Sequence, residues 1–419
     1  MIRSIEALNY RCLRYVRQNL KDFHVLVGPN ASGKTTFLDV ISLLGDLVGG
    51  GLEKAIQGRT SNFMDLLFSY QGKKFELAVE LEIPEERKKL LPPKRPFDIV
   101  RYEVALEWIE SDAEVHIVDE KVALLPAVDR SPTQRTLFPL PPDPPPTIVR
   151  GRSRDERRVV TKVRNGNDNY YSEVHERGGK GWAPSIRLGP TKSALANLPA
   201  DETNFPVSTW LRDTLRDGIQ QIMLNSLALR RSSPPGQGLN FKPDGSNLPW
   251  VIHRLRNEDY TRHKEWVAHV RTALPDLKDI ETVEVPDTRH RYLKLVYDNG
   301  LHVPSWMGSD GTLRLLALTL PAYLPDFKGV YLIEEPENGI HPMAIETMFQ
   351  SLSSTYSAQI LLATHSPVIV SQSKPEDVLC LKKDASGATD MVAGDEHPGL
   401  KDWQNEIDLS VLYASGVLG

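Results

Sequence analysis

Residues Gly28-Pro29-Asn30-Ala31-Ser32-Gly33-Lys34-Thr35 have the spacing GxxxxGK[ST]. Glycines at those two positions let successive backbone N–H groups turn inward around a phosphate chain, and a helix starting at Lys34 points its positive end at the same place. Lys34 has the reach for the β- and γ-phosphates, and the Thr35 hydroxyl is of the type that holds Mg²⁺. Asn30, Ala31, Ser32, Gly33 and Thr36 complete the set expected to line a nucleotide such as ATP. An apolar run, Val25-Leu26-Val27, precedes the loop, and apolar residues at helical spacing follow it from Thr36 to Ile41. Strand, glycine-rich loop and helix are the context this motif requires.

Three further constellations fall between Ser309 and His365. Gly329–Ile333 is a short run of the buried parallel type and ends in Glu334-Glu335-Pro336-Glu337. Carboxylates at the tip of such a strand sit where open α/β sheets bind ligands. Adjacent side chains on a strand point to opposite sides, so the two glutamates should divide the work. One should hold Mg²⁺ and the other can polarise an attacking water. A second buried-type strand, Ile360–Thr364, delivers His365, an imidazole that can bond a γ-phosphate. Ser309, Asp310 and Gly311 open an apolar helix and form a second anion site. One triphosphate does not need two such sites in one chain, so this one is expected to serve the nucleotide of another copy.

The elements that must position these groups read as follows. Residues 2–9 alternate as a strand, Phe23–Val27 is a second strand, and the helix after the loop should stop near Val48 at Gly49-Gly50-Gly51, with a shorter helical piece beyond. From Lys73 to Leu125 the period changes to two, which predicts an antiparallel meander. Residues 126–148 are proline-rich and read as an extended linker. Arg150, Arg152, Arg154, Arg157, Arg158, Lys162 and Arg164 follow, with a hairpin of Arg158–Val163 and Tyr170–Val174 turned by Asn165-Gly166-Asn167. A basic arm carrying Tyr170 and Tyr171 is either a solvated face or a surface for nucleic-acid backbone and base stacking. Residues 205–275 read as mostly helical, including Val207–Asn225 and Leu248–Asn257, and strands return at Thr282–Val285 and Tyr292–Tyr297.

Composition narrows the class. Charged residues make up 25% and hydrophobic ones 40%, ordinary for a globular protein. The formal net charge of −5 gives no global attraction to nucleic acid, so DNA contact would need a local patch. Cys12 and Cys380 are the only cysteines, which excludes a disulfide framework and fits a reducing cytosol. The charged N-terminus does not read as a signal peptide, and no apolar run reaches the ~20 residues that span a bilayer. The expectation is a soluble, cytoplasmic protein with no membrane partner.

Phosphate loop, Ser-x-Gly helix start, strand-Glu-Glu-Pro-Glu and strand-Thr-His-Ser-Pro, in that order, resemble the ABC-type ATPases of the RecF/SMC/OLD group. "SDGTLR", "EEPENGIHP" and "THSP" are closest to short OLD-like ATPases, and Arg230-Arg-Ser-Ser-Pro and Asp244-Gly-Ser-Asn-Leu-Pro also resemble them. The resemblance implies an α/β P-loop NTPase with an ABC-ATPase-like head, a mixed core sheet plus antiparallel β meander, and a mainly helical inserted lobe. The expected parts are residues 1–126 and 301–419 as the two halves of the head, 127–200 as a proline-rich linker and basic hairpin insertion, and 201–300 as the helical lobe with its return strands. It further implies Glu335 as catalytic base, with Lys34 and the switch histidine His365. Thr35 and Glu334 would lie on Mg²⁺, and Ser309 and Gly311 would act in trans across a head-to-head dimer. Asn338–His341 would cross that interface, Arg11 would lie near the nucleotide, and Arg59 would take the arginine-loop position.

Departures are informative. Glu334 stands where Asp is commoner, Asp310 places a negative charge where the signature has Gly, and no residue is assigned to the glutamine loop. OLD nucleases continue into a Toprim domain, whereas about fifty residues follow His365, too few for one. The expectation is therefore a Mg-dependent ATPase dimer that switches a separate effector, a nuclease by resemblance, in a DNA-directed anti-phage system. The alternative is a RecF-like repair clamp loaded on DNA.

Overall fold

The computed structural model describes all residues except 94–95, 128–136, 152, 154, 176–183, 239, 325–326, 401–408 and 417–419. At its centre lies a six-stranded sheet in the order Ile219–Ile222, Val330–Glu334, Gln359–Ala363, Phe23–Val27, Val378–Lys383 and Thr389–Ala393. The first five strands are parallel and the last is antiparallel. These strands are apolar on both faces because both faces are covered. Leu26, Leu332, Leu361 and Leu379 enter one core; Val25, Val27, Tyr331, Ile333, Ile360 and Leu362 enter the other. The first core is shared with the phosphate-loop helix Lys34–Gln57, and the second with helices Leu248–Glu258, Tyr260–Val270, Asp310–Thr319 and Pro342–Ser353.

The phosphate-loop helix breaks where the glycine triplet predicts. Gly51 has φ 84, and a short helical piece continues to Gln57. This helix is the one among the described residues long and apolar enough to cross a membrane by composition. Its Phe37, Leu38, Ile41, Leu44 and Leu47 are buried in the core between the sheets.

An eight-stranded antiparallel sheet covers the far side of that helix. Its meander, Lys74–Glu82, Ile99–Ile109 and Glu114–Leu125, follows the alternation in the sequence. The hairpin Arg157–Lys162 and Asp168–Tyr170 pairs with the meander and extends the same sheet. The described part of the proline-rich stretch lies along the meander: Ile148 N–H donates to Glu76 at 2.6 Å, and Arg150 N–H to Glu103 at 3.0 Å.

Several expectations need correction. Leu13–Asn19 is a strand that pairs with Ile2–Tyr10; the left-handed Arg11 (φ 49) makes the turn without a glycine signal. The helix predicted over 207–225 ends at Asp217, and Gly218 releases the chain into Ile219–Ile222, an edge strand of the core sheet. Tyr170 is fully buried and its hydroxyl donates to the Ala194 carbonyl at 3.0 Å, so it cannot stack a base. Four members of the basic run meet carboxylates: Arg150 meets Glu80, Arg158 meets Glu156, Lys162 meets Asp168 and Arg164 meets Glu107. Arg152 and Arg154 lie outside the described residues.

Candidate nucleotide site

Strand Phe23–Val27 hands the chain to Gly28, and the helix begins at Lys34 after left-handed turns at Ala31 (φ 61) and Gly33 (φ 106). The loop is held from behind by the neighbouring strands. A Cβ on Gly28 would sit 2.2 Å from the Leu381 carbonyl oxygen, and the Thr389 hydroxyl donates to the Ser32 carbonyl at 2.9 Å. Lys34 Nζ folds back to donate to the Gly28 and Pro29 carbonyls at 2.8 and 3.0 Å. Burial depresses the Lys34 ammonium to about 8, against the opposing pull of Glu335 and Glu334. The Ser32 hydroxyl is buried inside the loop with no partner, a polar atom ready for an anionic guest.

Gly28→Ala is expected to lower stability by about 2–3 kcal/mol, because the methyl must displace backbone rather than a flexible side chain. A thermal unfolding midpoint equal to that of the unsubstituted protein would contradict this packing.

The carboxylates occupy the next strand tip. Glu334 ends strand Val330–Glu334; it accepts from the Thr35 hydroxyl and, at 3.2 Å, from Gln221 Nε2. A hydroxyl beside a carboxylate is the oxygen donor set that suits a hard divalent cation, so these residues fit Mg²⁺. Alternation would send Glu335 to the opposite face, but its backbone is left-handed (φ 46) and both glutamates line the cleft. That conformation costs a non-glycine residue about 1–3 kcal/mol and is the kind of strain kept at working sites. Glu335 Oε1 lies 4.0 Å from His365 Nε2, and Asn338 donates to its other oxygen. Glu337 accepts from the Thr364 hydroxyl at 2.6 Å and from His365 N–H at 3.1 Å, which fixes the histidine loop. Burial, and then the Lys34 charge, lower the His365 imidazole, so it is neutral around pH 7.

One cleft of about 360 Å³ brings together Arg11, Asn30, Ala31, Ser32, Gly33, Lys34, Thr35, Thr36, Glu334, Glu335 and His365. Arg11 is anchored to Asp39 at 3.3 Å. Arg59 is absent from the lining; its guanidinium is locked between Asp39 and Asp46 at 2.7 and 2.9 Å. Ser309 and Gly311 also stand outside this cleft. Ser309 caps helix Asp310–Thr319, accepting from Thr312 N–H at 3.1 Å. A Cβ on Gly311 would meet the Gly339 carbonyl oxygen at 2.6 Å, so this glycine lets the Asn338–His341 loop press against the helix. Asp310, which threatened to repel a phosphate, is answered in cis: burial pushes its carboxyl up, but hydrogen bonds from Ser226 and from Arg314 Nε, the latter at 2.8 Å, hold it below the usual range.

Sequence reasoning missed two polar groups, one that reaches Glu334 from beside the cleft and one that lines it. Gln221 lies on the edge strand mistaken for helix, and only the parallel pairing of that strand with Val330–Glu334 reveals that it reaches Glu334. Lys383 reaches the cleft from the end of Val378–Lys383, a strand whose neighbour in the sheet is the phosphate-loop strand.

Two family models match. Residues 1–129 match "AAA ATPase domain", and residues 211–371 match "AAA domain, putative AbiEii toxin, Type IV TA system". No curated protein matches the chain. Among solved structures, the chain is similar to an SmcHead bound to the C-winged helix domain of ScpA, with 14% identity, TM-score 0.54, and 94% of this chain and 97% of that chain covered. It is also similar to an Smc head domain with an extended coiled coil bound to the C-terminal domain of ScpA derived from Pyrococcus furiosus. There the identity is 13%, the TM-score 0.52, and the coverage 94% of this chain and 96% of that one. The chain has the P-loop fold of the Smc heads it is similar to, and its segments on either side of residues 130–210 match models of AAA-type ATPase domains.

Proposed function

We propose that this chain hydrolyses ATP in a head-to-head dimer and uses the closed state to switch a separate effector. One observation carries the reading. A single cleft gathers the phosphate loop, the Thr35–Glu334 pair, Glu335 and His365, while the capped Ser309 helix stands outside it. The loop N–H groups and Lys34 bind the β- and γ-phosphates, and Lys34 leaves its two carbonyl partners to do so. Thr35 and Glu334 would hold Mg²⁺, which when bound supplies charge neutralisation between those phosphates. Glu335 orients a water and takes its proton as the water oxygen bonds the γ-phosphorus. The bond to the β–γ bridging oxygen breaks, and ADP leaves with that electron pair. The Ser309 helix start of the second copy completes the charge stabilisation, a role its Arg314-neutralised Asp310 permits.

A nuclease effector and an anti-phage setting are the finer part of the proposal. The toxin wording of the matching family model supports the setting, and the ScpA bound to the similar Smc heads supports a protein partner. The two free cysteines fit a cytosolic location. Pairing of Arg150, Arg158, Lys162 and Arg164 with carboxylates speaks against direct DNA binding by this face. Affinity purification of the tagged protein from its own cells, with ATP present, should recover a nuclease in stoichiometric amount. ATP-dependent binding of duplex DNA by the protein alone, with a steep salt slope, would favour the repair-clamp alternative instead.

A further inference from the structure

The helix Leu409–Ala414 packs along Pro367–Gln372, the helix that leaves the histidine motif, and Leu409 shares a core with Ile369 and Val370. This packing brings the Tyr413 hydroxyl to 3.2 Å from His365 Nδ1 and 3.5 Å from the Gly28 carbonyl oxygen. One phenol therefore touches both the switch histidine and the first residue of the phosphate loop. Neither the motif order nor the resemblance assigns it a role.

We propose that Tyr413 is a positioning residue for hydrolysis: its hydroxyl donates to His365 Nδ1 and keeps the ring proton on Nε2, the nitrogen nearer Glu335. A tyrosine hydroxyl has one proton to give. The Gly28 carbonyl already accepts the Lys34 ammonium at 2.8 Å and lies farther from the phenol than Nδ1 does. We assign the proton to the shorter contact; the opposite arrangement, with hydrogen on Nδ1 and the phenol donating to Gly28, is the one the imidazole spectrum below tells apart. In a neutral imidazole a donor on Nδ1 leaves the hydrogen on Nε2, and the bond made by one nitrogen sets the role of the other. His365 then faces the cleft as a donor, able to bond a γ-phosphate oxygen, rather than as a second acceptor beside Glu335. Burial raises the Tyr413 phenol above its ordinary value, so it stays protonated and able to donate through the neutral range.

This inference rests on the ATPase reading above, and its test separates the two. Tyr413→Phe removes the oxygen and keeps the ring in its packing. The expected result is a drop in kcat of about tenfold, the factor of one lost hydrogen bond, with KM for ATP and the unfolding midpoint little changed. In ¹⁵N-histidine-labelled protein without nucleotide, the His365 imidazole signals are those lost in His365→Ala. In the parent protein they should show hydrogen on Nε2, and in Tyr413→Phe a mixture of tautomers. Unchanged imidazole signals overturn the inference, as does a hydrogen on Nδ1 in the parent. A kcat equal to the parent's, in a protein whose hydrolysis Glu335→Gln abolishes, also overturns it and leaves the ATPase reading intact. A parent with no ATP hydrolysis would sink the ATPase reading, while the imidazole spectrum still decides whether Tyr413 sets the tautomer.

Discussion

Glu335→Gln should reduce steady-state ATP hydrolysis by at least about a hundredfold while leaving ATP binding in place. The amide keeps the size of the side chain and suits the same half-exposed, left-handed position, but it cannot take a proton from water. Lys34, Thr35 and Glu334, which bind rather than abstract, are untouched. With the γ-phosphate never released, the closed dimer should persist. Phosphate release measures the first effect, and light scattering with and without ATP measures the second. Hydrolysis at the parent rate would remove Glu335 from the role of base and point to a different acceptor in the cleft.

Lys34→Ala should weaken ATP binding by about a hundredfold, the scale of losing one charge-assisted contact to phosphate in a partly desolvated site. The Lys34 side chain is buried and, among the described residues, its ammonium donates to the Gly28 and Pro29 carbonyls, so it is stored against the loop it serves. Its depressed value of about 8 adds a pH signature. Below pH 8 the side chain is charged and ready for phosphate. Between about 8 and the ordinary lysine value it must first take up a proton, so ATP affinity should fall as pH rises through that window. Titration of a fluorescent ATP analogue at pH 7 and pH 9 reads both effects. An alanine variant that binds as tightly as its parent, or an affinity flat across that range, would contradict the assignment.

The legible parts of this molecule were those in which one residue type has one physical reason to be present. The loop glycines, the apolar runs before Glu334 and His365, and the alternation from Lys74 to Leu125 each follow from a local rule. The less legible parts depend on packing between distant segments. Ile219–Ile222 has no period of its own and becomes a strand because Val330–Glu334 offers it an edge, which is what carries Gln221 to Glu334. Tyr170 reads as a surface aromatic in a basic run, yet the sheet behind it buries the ring. Glu335 reads as pointing away from Glu334, and one left-handed residue reverses that. Asp310 reads as a defect until the helix turn that brings Arg314 to it is formed.

The central claim is that each active site is built from two copies of the chain, the phosphate loop from one and the Ser309 helix from the other. Mixing two inactive variants tests it directly. Lys34→Ala leaves Ser309 intact, and Ser309→Arg leaves the phosphate loop intact. In a mixed dimer, one of the two sites pairs an intact loop with an intact Ser309. An equimolar mixture should therefore recover about a quarter of the parent ATPase activity, since about half the dimers are mixed and half their sites are whole. If the mixture stays at the level of the separate variants while mixed dimers are shown to form, the site is not shared between copies.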